Sequence, residues 1–132
     1  MGRTKSEVGI IGEDIACEYL MGKGFKIVSR NVKHLPMGEM DIIARDKRGL
    51  IVFVEVKTGQ GGNNDYRPEV HYNADKAYKT NRLAQFIANK PPKIVGPLGY
   101  RVDLIVVDII DPLLTDWKKD CVIRHYENVV AT

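Results

Sequence analysis

The chain has little of what would place it outside the globular domains. Only two of its 132 residues are cysteine, Cys17 and Cys121, far apart in sequence. Two isolated thiols make neither a zinc site nor a disulfide framework, so both read as small buried hydrophobes. The three histidines, His34, His71 and His125, are scattered and share no helical or strand spacing with one another, which argues against a histidine metal site. No apolar run approaches the roughly 20 residues of a membrane helix. The opening Met-Gly-Arg-Thr-Lys-Ser-Glu is not followed by a signal-peptide-like run, so the expected location is cytoplasmic. Repeats and low-complexity tracts are missing too. The lone tryptophan, Trp117, lies among charges after Pro112 and reads as a packing anchor.

What is present balances 44% hydrophobic against 28% charged residues, over a length suited to one domain spanning residues 1–132. Net charge is +3. The excess is uneven. Between Thr58 and Arg101 seven basic residues (Arg67, Lys76, Lys79, Arg82, Lys90, Lys93, Arg101) face three acids. A basic patch for a polyanion is expected there.

Val8, Ile11, Gly12, Ile15, Ala16 and Tyr19 recur at helical spacing, which predicts a helix from about Glu7 to Met21, ended by Gly22 and Gly24. Gly12 lies within its stripe, where a missing side chain lets a sheet come close. Strands are expected over Phe25 to Val32, Gly38 to Arg45 and Leu50 to Lys57. Thr58 to Asn73 reads as a long structureless loop. Asn73 is placed to cap a helix over Ala74 to Asn89, stopped by Lys90-Pro91-Pro92. Tyr100 to Ile110 and Cys121 to Tyr126 complete an α/β order, α-β-β-β-α-β-β, with a mixed β-sheet flanked by helices.

The turn Asp46-Lys47-Arg48-Gly49 joins two Ile- and Val-rich strands. If Asp46 pairs with Leu50, Gly49 takes the left-handed position of a three-residue loop. Opposed residues then sum to 96. Asp41 faces Glu55 at a Cβ separation of roughly 5 Å, and Glu39 faces Lys57. Met40, Ile42 and Ala44 take the opposite, core-facing side with Val52, Val54 and Val56. Lys57, two residues beyond Glu55, points the same way as Glu55. Two close carboxylates repel unless a cation lies between them. Oxygen ligands with room for water suit Mg2+, or Mn2+. A bound metal activates water and polarises a phosphoryl oxygen, and a neighbouring ammonium stabilises the developing charge. The plainer alternative is a solvated strand face with cross-strand ion pairs of small value. Against it, Phe53-Val54-Glu55-Val56-Lys57 otherwise reads as a buried strand, where a charge without a partner is costly.

Four segments together, Gly12-Glu13-Asp14-Ile15-Ala16, Arg30-Asn31, Gly38-Glu39-Met40-Asp41-Ile42-Ile43-Ala44 and Val52-Phe53-Val54-Glu55-Val56-Lys57, resemble the YraN-like family of bacterial proteins. The resemblance continues through Lys76-Ala77 and Arg101-Val102-Asp103-Leu104. That family is similar to archaeal Holliday-junction resolvases and is placed with the PD-(D/E)XK nucleases. The resemblance implies a restriction-endonuclease-like fold. It implies that Asp41 and Glu55 are the metal-binding carboxylates, that Lys57 is the motif lysine and that Glu13 is a further catalytic acid on the first helix. Met40 stands where the motif often has proline. Helical periodicity alone does not choose Glu13, about 120° from the centre of the apolar stripe, over Glu18 on the other flank. A homodimer is implied by analogy with resolvases.

Lys76, Lys79 and Arg82 on the second helix, and Arg67 in the loop, are candidate nucleic-acid contacts; a solvated helix face is the alternative. Tyr66 and Tyr72 either stack on unpaired bases or pack the loop onto the domain. Arg101 and Asp103 form either an ion pair or a phosphate contact. Three functions compete: a Mg2+- or Mn2+-dependent endonuclease acting on DNA, branched DNA included; a non-cleaving nucleic-acid-binding accessory protein that keeps the nuclease fold; and a protein-binding domain whose carboxylate-lysine cluster is structural.

Overall fold

A computed structural model describes residues 2–60 and 68–129. Helix α1 covers Lys5–Gly22. Thr4 starts it: its hydroxyl accepts the Glu7 N–H at 3.1 Å, and the Glu7 carboxylate accepts the Thr4 N–H at 2.9 Å. This reciprocal pair satisfies two amides that a helix start leaves open. The chain turns out of α1 through Gly24 at φ +91°.

Strands β1 (Lys26–His34), β2 (Gly38–Arg45) and β3 (Ile51–Gln60) follow as an antiparallel meander. After a short 3-10 turn, Pro68–His71, helix α2 (Ala74–Asn89) crosses back to β4 (Tyr100–Ile109), which pairs parallel to β3. A single helical turn, α3 (Trp117–Asp120), leads into β5 (Cys121–Tyr126), antiparallel to β4. The five strands lie in the order β1-β2-β3-β4-β5, a mixed sheet. A parallel pair needs a crossover, and α2 supplies it.

Each face of the sheet carries its own core. On one side Ile15, Ala16 and Leu20 of α1 pack on Ile42, Ala44, Val52, Val54, Ile105 and Val107. Cys17, Cys121 and Trp117 join this layer, as expected of small hydrophobes and an anchor. On the other side Leu83, Ala84, Ile87 and Ala88 of α2 cover Ile43, Ile51, Phe53 and Val102. Strands β3 and β4 are thus buried on both faces, which explains their near-continuous Val and Ile runs. A Cβ built on Gly12 would lie 1.8 Å from the Thr58 hydroxyl oxygen, so only glycine lets α1 approach β3 this closely.

The turn has the expected form. Asp46 N–H donates to the Leu50 carbonyl at 2.9 Å, Gly49 has φ +102°, and Ile42 to Arg45 pair with Val54 to Ile51 in the 96 register.

Several expectations are corrected. The first strand runs on to His34 and the third to Gln60. The stretch expected to be structureless begins as strand and ends as a 3-10 turn. The turn α3 carries no helical period and was not expected. Met40 does not share a face with Ile42: it packs with Ile43 and Phe53 under α2, along with Val32 of β1. Asn31, at φ +53°, stands where this switch of faces begins. A left-handed residue rotates the strand locally, and asparagine tolerates that conformation better than most.

Candidate active site

The β2–β3 ladder ends at Ile42 and Val54, so Asp41 and Glu55 are not a backbone-paired couple as the register alone implies. Continued pairing would send the Val56 N–H to the Met40 carbonyl. Instead that N–H donates to Asp41 Oδ2 at 2.8 Å. A side chain replaces the missing rung and pins the Asp41 carboxyl at the point where the strands part. Glu39 likewise does not pair with Lys57; its ladder partner is Lys33 of β1.

The carboxyl groups meet nevertheless. The Glu55 carboxyl lies close enough to Asp41 to repel it, and Lys57 Nζ lies 3.4 Å from Glu55 Oε1. Burial, then repulsion from Glu55, pushes the Asp41 carboxyl far above its usual range, to about 8; the Val56 N–H opposes this, and Glu13 and Glu39 add to it. Burial also raises Glu55, with Lys57, Asp41 and Lys76 pulling the other way. In the absence of a cation, the pair therefore keeps a proton near neutrality.

Glu13 reaches the same place from α1. Carboxylate oxygens of Glu13, Glu39 and Asp41 lie within 4.8 Å of one another. Asn31 Nδ2 donates to Glu13 Oε1 at 2.7 Å and to Glu39 Oε1 at 3.1 Å, holding two anions side by side. Arg30 binds Asp14 at 2.8 Å and stands 3.9 Å from Glu13. Glu39 is a further candidate ligand beyond those the sequence pattern marks. The signal was available, because it precedes Asp41 by two residues, the spacing that puts side chains on one face of a strand. The donor set is all oxygen and rich in carboxylate, which suits a hard divalent cation rather than a soft metal.

A cleft of about 220 Å³ opens beside this cluster, lined by Glu39, Glu55 and Lys57 from the sheet and by Lys76, Lys79 and Thr80 from α2. Asn73 caps α2, accepting the Lys76 N–H at 3.1 Å, and so fixes where the lysines begin. Of the expected basic contacts, Lys76 and Lys79 face the carboxylates. Arg82 lines neighbouring cavities instead, with Met37, Phe86 and Lys90 in one and with Tyr78 and Lys79 in the other. Arg67 and Tyr66 lie outside the described residues. Tyr72 is half-buried with its hydroxyl enclosed, which fits packing better than stacking on a base.

A second polar cluster lies apart from the cleft. Asp103, fully buried, binds Arg101 Nε at 3.0 Å, His125 Nε2 at 2.8 Å and the Asn128 N–H at 2.9 Å. His125 Nδ1 in turn meets Tyr19 Oη at 3.0 Å. Burial pushes Asp103 up, yet His125, Arg101 and the Asn128 amide outweigh it, and the carboxylate sits below its usual range. The Arg101–Asp103 question resolves as an ion pair. It ties α1, β4 and β5 together.

The model of the Uncharacterised protein family UPF0102 matches residues 12–107, a span that begins at Gly12 and includes Glu13, Asp41, Glu55 and Lys57. A UPF0102 protein of Syntrophotalea carbinolica is 46% identical over 108 residues, covering 81% of this chain and 83% of that protein. One from Thermodesulfovibrio yellowstonii is 40% identical over 125 residues, covering 95% and 96%. One from Campylobacter lari is 41% identical over 99 residues, covering 75% and 81%. No solved structure matches. The family match agrees with the resemblance to YraN-like proteins.

Proposed function

The chain belongs to the UPF0102 family, and we propose that it is a nucleic-acid-binding protein that hydrolyses DNA phosphodiester bonds with a divalent metal, Mg2+ or Mn2+. The observation that carries this reading is the cluster where β2 and β3 part. Asp41, Glu55 and Lys57 gather there beside Glu13 and Glu39, with Lys76 and Lys79 across the cleft. Carboxylates crowded this tightly are matched to a cation, and lysines opposite are matched to a phosphate. A mixed sheet with a parallel β3–β4 pair and a helix on each face is compatible with the restriction-endonuclease-like architecture that the motif resemblance implies.

Asp41 and Glu55 would hold the metal, with Glu13 and Glu39 available to complete the oxygen set. The bound ion would supply an activated water and neutralise charge on the phosphoryl oxygens. The protein's own groups do the rest. The Val56 N–H fixes Asp41, and the two glutamates aided by Asn31 shape the anionic side of the site. Lys57, held at Glu55, stabilises negative charge that grows on the phosphate in the transition state. Lys76 and Lys79 position the backbone of the substrate.

The expected result is cleavage of branched or single-stranded DNA in Mg2+ or Mn2+ that falls by at least about a hundredfold in Glu55→Ala, within the range that single active-site charges supply. Equal activity in both proteins points to a contaminating nuclease and overturns the enzymatic reading. A second reading, binding without cleavage, is favoured by the basic face of α2, which needs no carboxylate to hold a phosphate chain. It predicts salt-dependent DNA affinity with no hydrolysis under any metal.

A further inference from the structure

Beside the carboxylate cleft, α2 exposes residues that the cleavage chemistry does not use. Tyr78 and Phe86 are 54% and 43% exposed, although both are large and apolar in body. With Arg82 they form an i, i+4, i+8 series, which places aromatic, cation and aromatic in turn along one side of the helix, and Lys90 follows just past its last residue. The Arg82 guanidinium stands 5.8 Å from the centre of the Tyr78 ring, and His34 of β1 meets Phe86 edge-on at 5.2 Å. Each aromatic ring is thus held by one neighbour while staying open to solvent.

The helix and the β1–β2 turn enclose two adjoining cavities here, of about 430 and 540 Å³. Either admits a group the size of a nucleotide. Both are lined by Met37 and Arg82; Tyr78 and Lys79 belong to one, Phe86 and Lys90 to the other. Among the described residues no carboxylate lines either cavity. Continuity with the acidic cleft is direct, since Met37 lines all three spaces and Lys79 lines the cleft and the nearer cavity.

We propose that this groove is a track for an unpaired nucleic-acid strand, with bases stacked on Tyr78 and Phe86 and phosphates held by Lys79, Arg82 and Lys90. The inference rests on the reading of the neighbouring cleft as a nucleic-acid site and adds the form of the substrate. A duplex hides its base faces, so exposed aromatic platforms would be wasted on it; a single strand offers a π-face at every base. Charge complementarity selects the polyanion, because the groove is basic throughout. Along the helix axis the two rings are about 12 Å apart, which is roughly three to four nucleotides at the stacked spacing of about 3.4 Å. The substrate would then be a junction, flap or loop whose unpaired strand lies over α2 while the adjoining phosphodiester enters the cleft.

Fluorescence anisotropy on the full chain tests this in EDTA, so that no metal-dependent step intervenes. The probes are labelled oligo(dT) and oligo(rU) of about twelve nucleotides and a blunt hairpin duplex. Single strands are expected to bind more tightly than the duplex. Tyr78→Ala and Phe86→Ala should each weaken single-strand binding by about five- to a hundredfold. Duplex binding and the melting temperature should stay near wild type, because both side chains are exposed. Tyr78→Phe and Phe86→Tyr keep a ring and should keep the affinity. The DNA and RNA arms show which sugar the track accepts. Tighter binding to duplex, unchanged single-strand affinity in the double alanine variant, or no binding at low salt overturns the proposal. Cleavage by the wild type in Mg2+ is measured separately. Aromatic-dependent binding without cleavage contradicts the nuclease reading alone, and cleavage without aromatic dependence contradicts the track alone.

Discussion

Asp41 replaces a missing backbone rung by accepting the Val56 N–H, and it does so beside Glu55, Glu13 and Glu39. Burial, and then repulsion from Glu55, place its folded pKa above its unfolded one, about 8 against 3.8. Between those values the native chain holds a proton that the unfolded chain has released, so stability falls as pH rises through that window. Asp41→Asn keeps an oxygen for the Val56 N–H and removes the titration. Without metal, the variant is expected to match wild type near pH 4 and to melt at higher temperature near pH 8, with the difference growing between. Saturating Mg2+ should narrow or reverse the gap, since a ligand bound only by the native wild type stabilises it by about 2.7 kcal/mol at a hundredfold excess over its Kd. Thermal melts across pH, with and without Mg2+, check this; equal melting temperatures at pH 8 without metal contradict the burial and repulsion assigned to Asp41.

At the level of elements, α2 carries the lysines to the cleft, and Asn73 fixes where α2 begins. Asn73→Ala leaves the Lys76 amide without its cap and should destabilise the protein by about 1 kcal/mol in urea unfolding, with the slope unchanged. A loss below about 0.3 kcal/mol would mean that the helix start is held by packing instead. Asn73 also shows how well local chemistry reads out of the sequence. The cap, the Gly49 turn and the 96 register were legible because each depends on neighbours in sequence or on one strand pairing, and glycine at position 12 was legible from its place in the apolar stripe of α1. What escaped depended on distant partners. Register arithmetic assumes that a ladder continues, and it missed the parting of β2 from β3 after Ile42. Alternation assumes an even pleat, and it put Met40 on the wrong face; the change of face lies beside Asn31, whose φ is +53°. Of the close acidic group Glu13, Glu39 and Asp41, the sequence marked Asp41 by its strand spacing, whereas Glu39 needed the bridge from Asn31 to show its place beside Glu13.

Across the whole molecule the net charge of +3 says little, but its placement says more. The sequence located a basic region between Thr58 and Arg101 without revealing that α2 lays part of it along one cleft and the groove beside it. Lys76 and Lys79 face the carboxylates, while Arg82 and Lys90 continue away from them. If Lys76 and Lys79 contact phosphates, neutralising both by alanine should lower the slope of log affinity against log salt by roughly two, about one per contact. An unchanged slope would leave them as a solvated helix face.

The carboxylate cluster is tested most directly by a metal measurement that no contaminating nuclease can imitate. Electron paramagnetic resonance of Mn2+ titrated into wild type, Asp41→Asn and Glu55→Gln reports binding without turnover. Saturable binding by wild type is expected, weakened at least about tenfold in either variant, as the loss of one coordinating carboxylate requires. Equal Mn2+ binding by all three proteins, or none by wild type, would contradict the assignment of these residues to a cation.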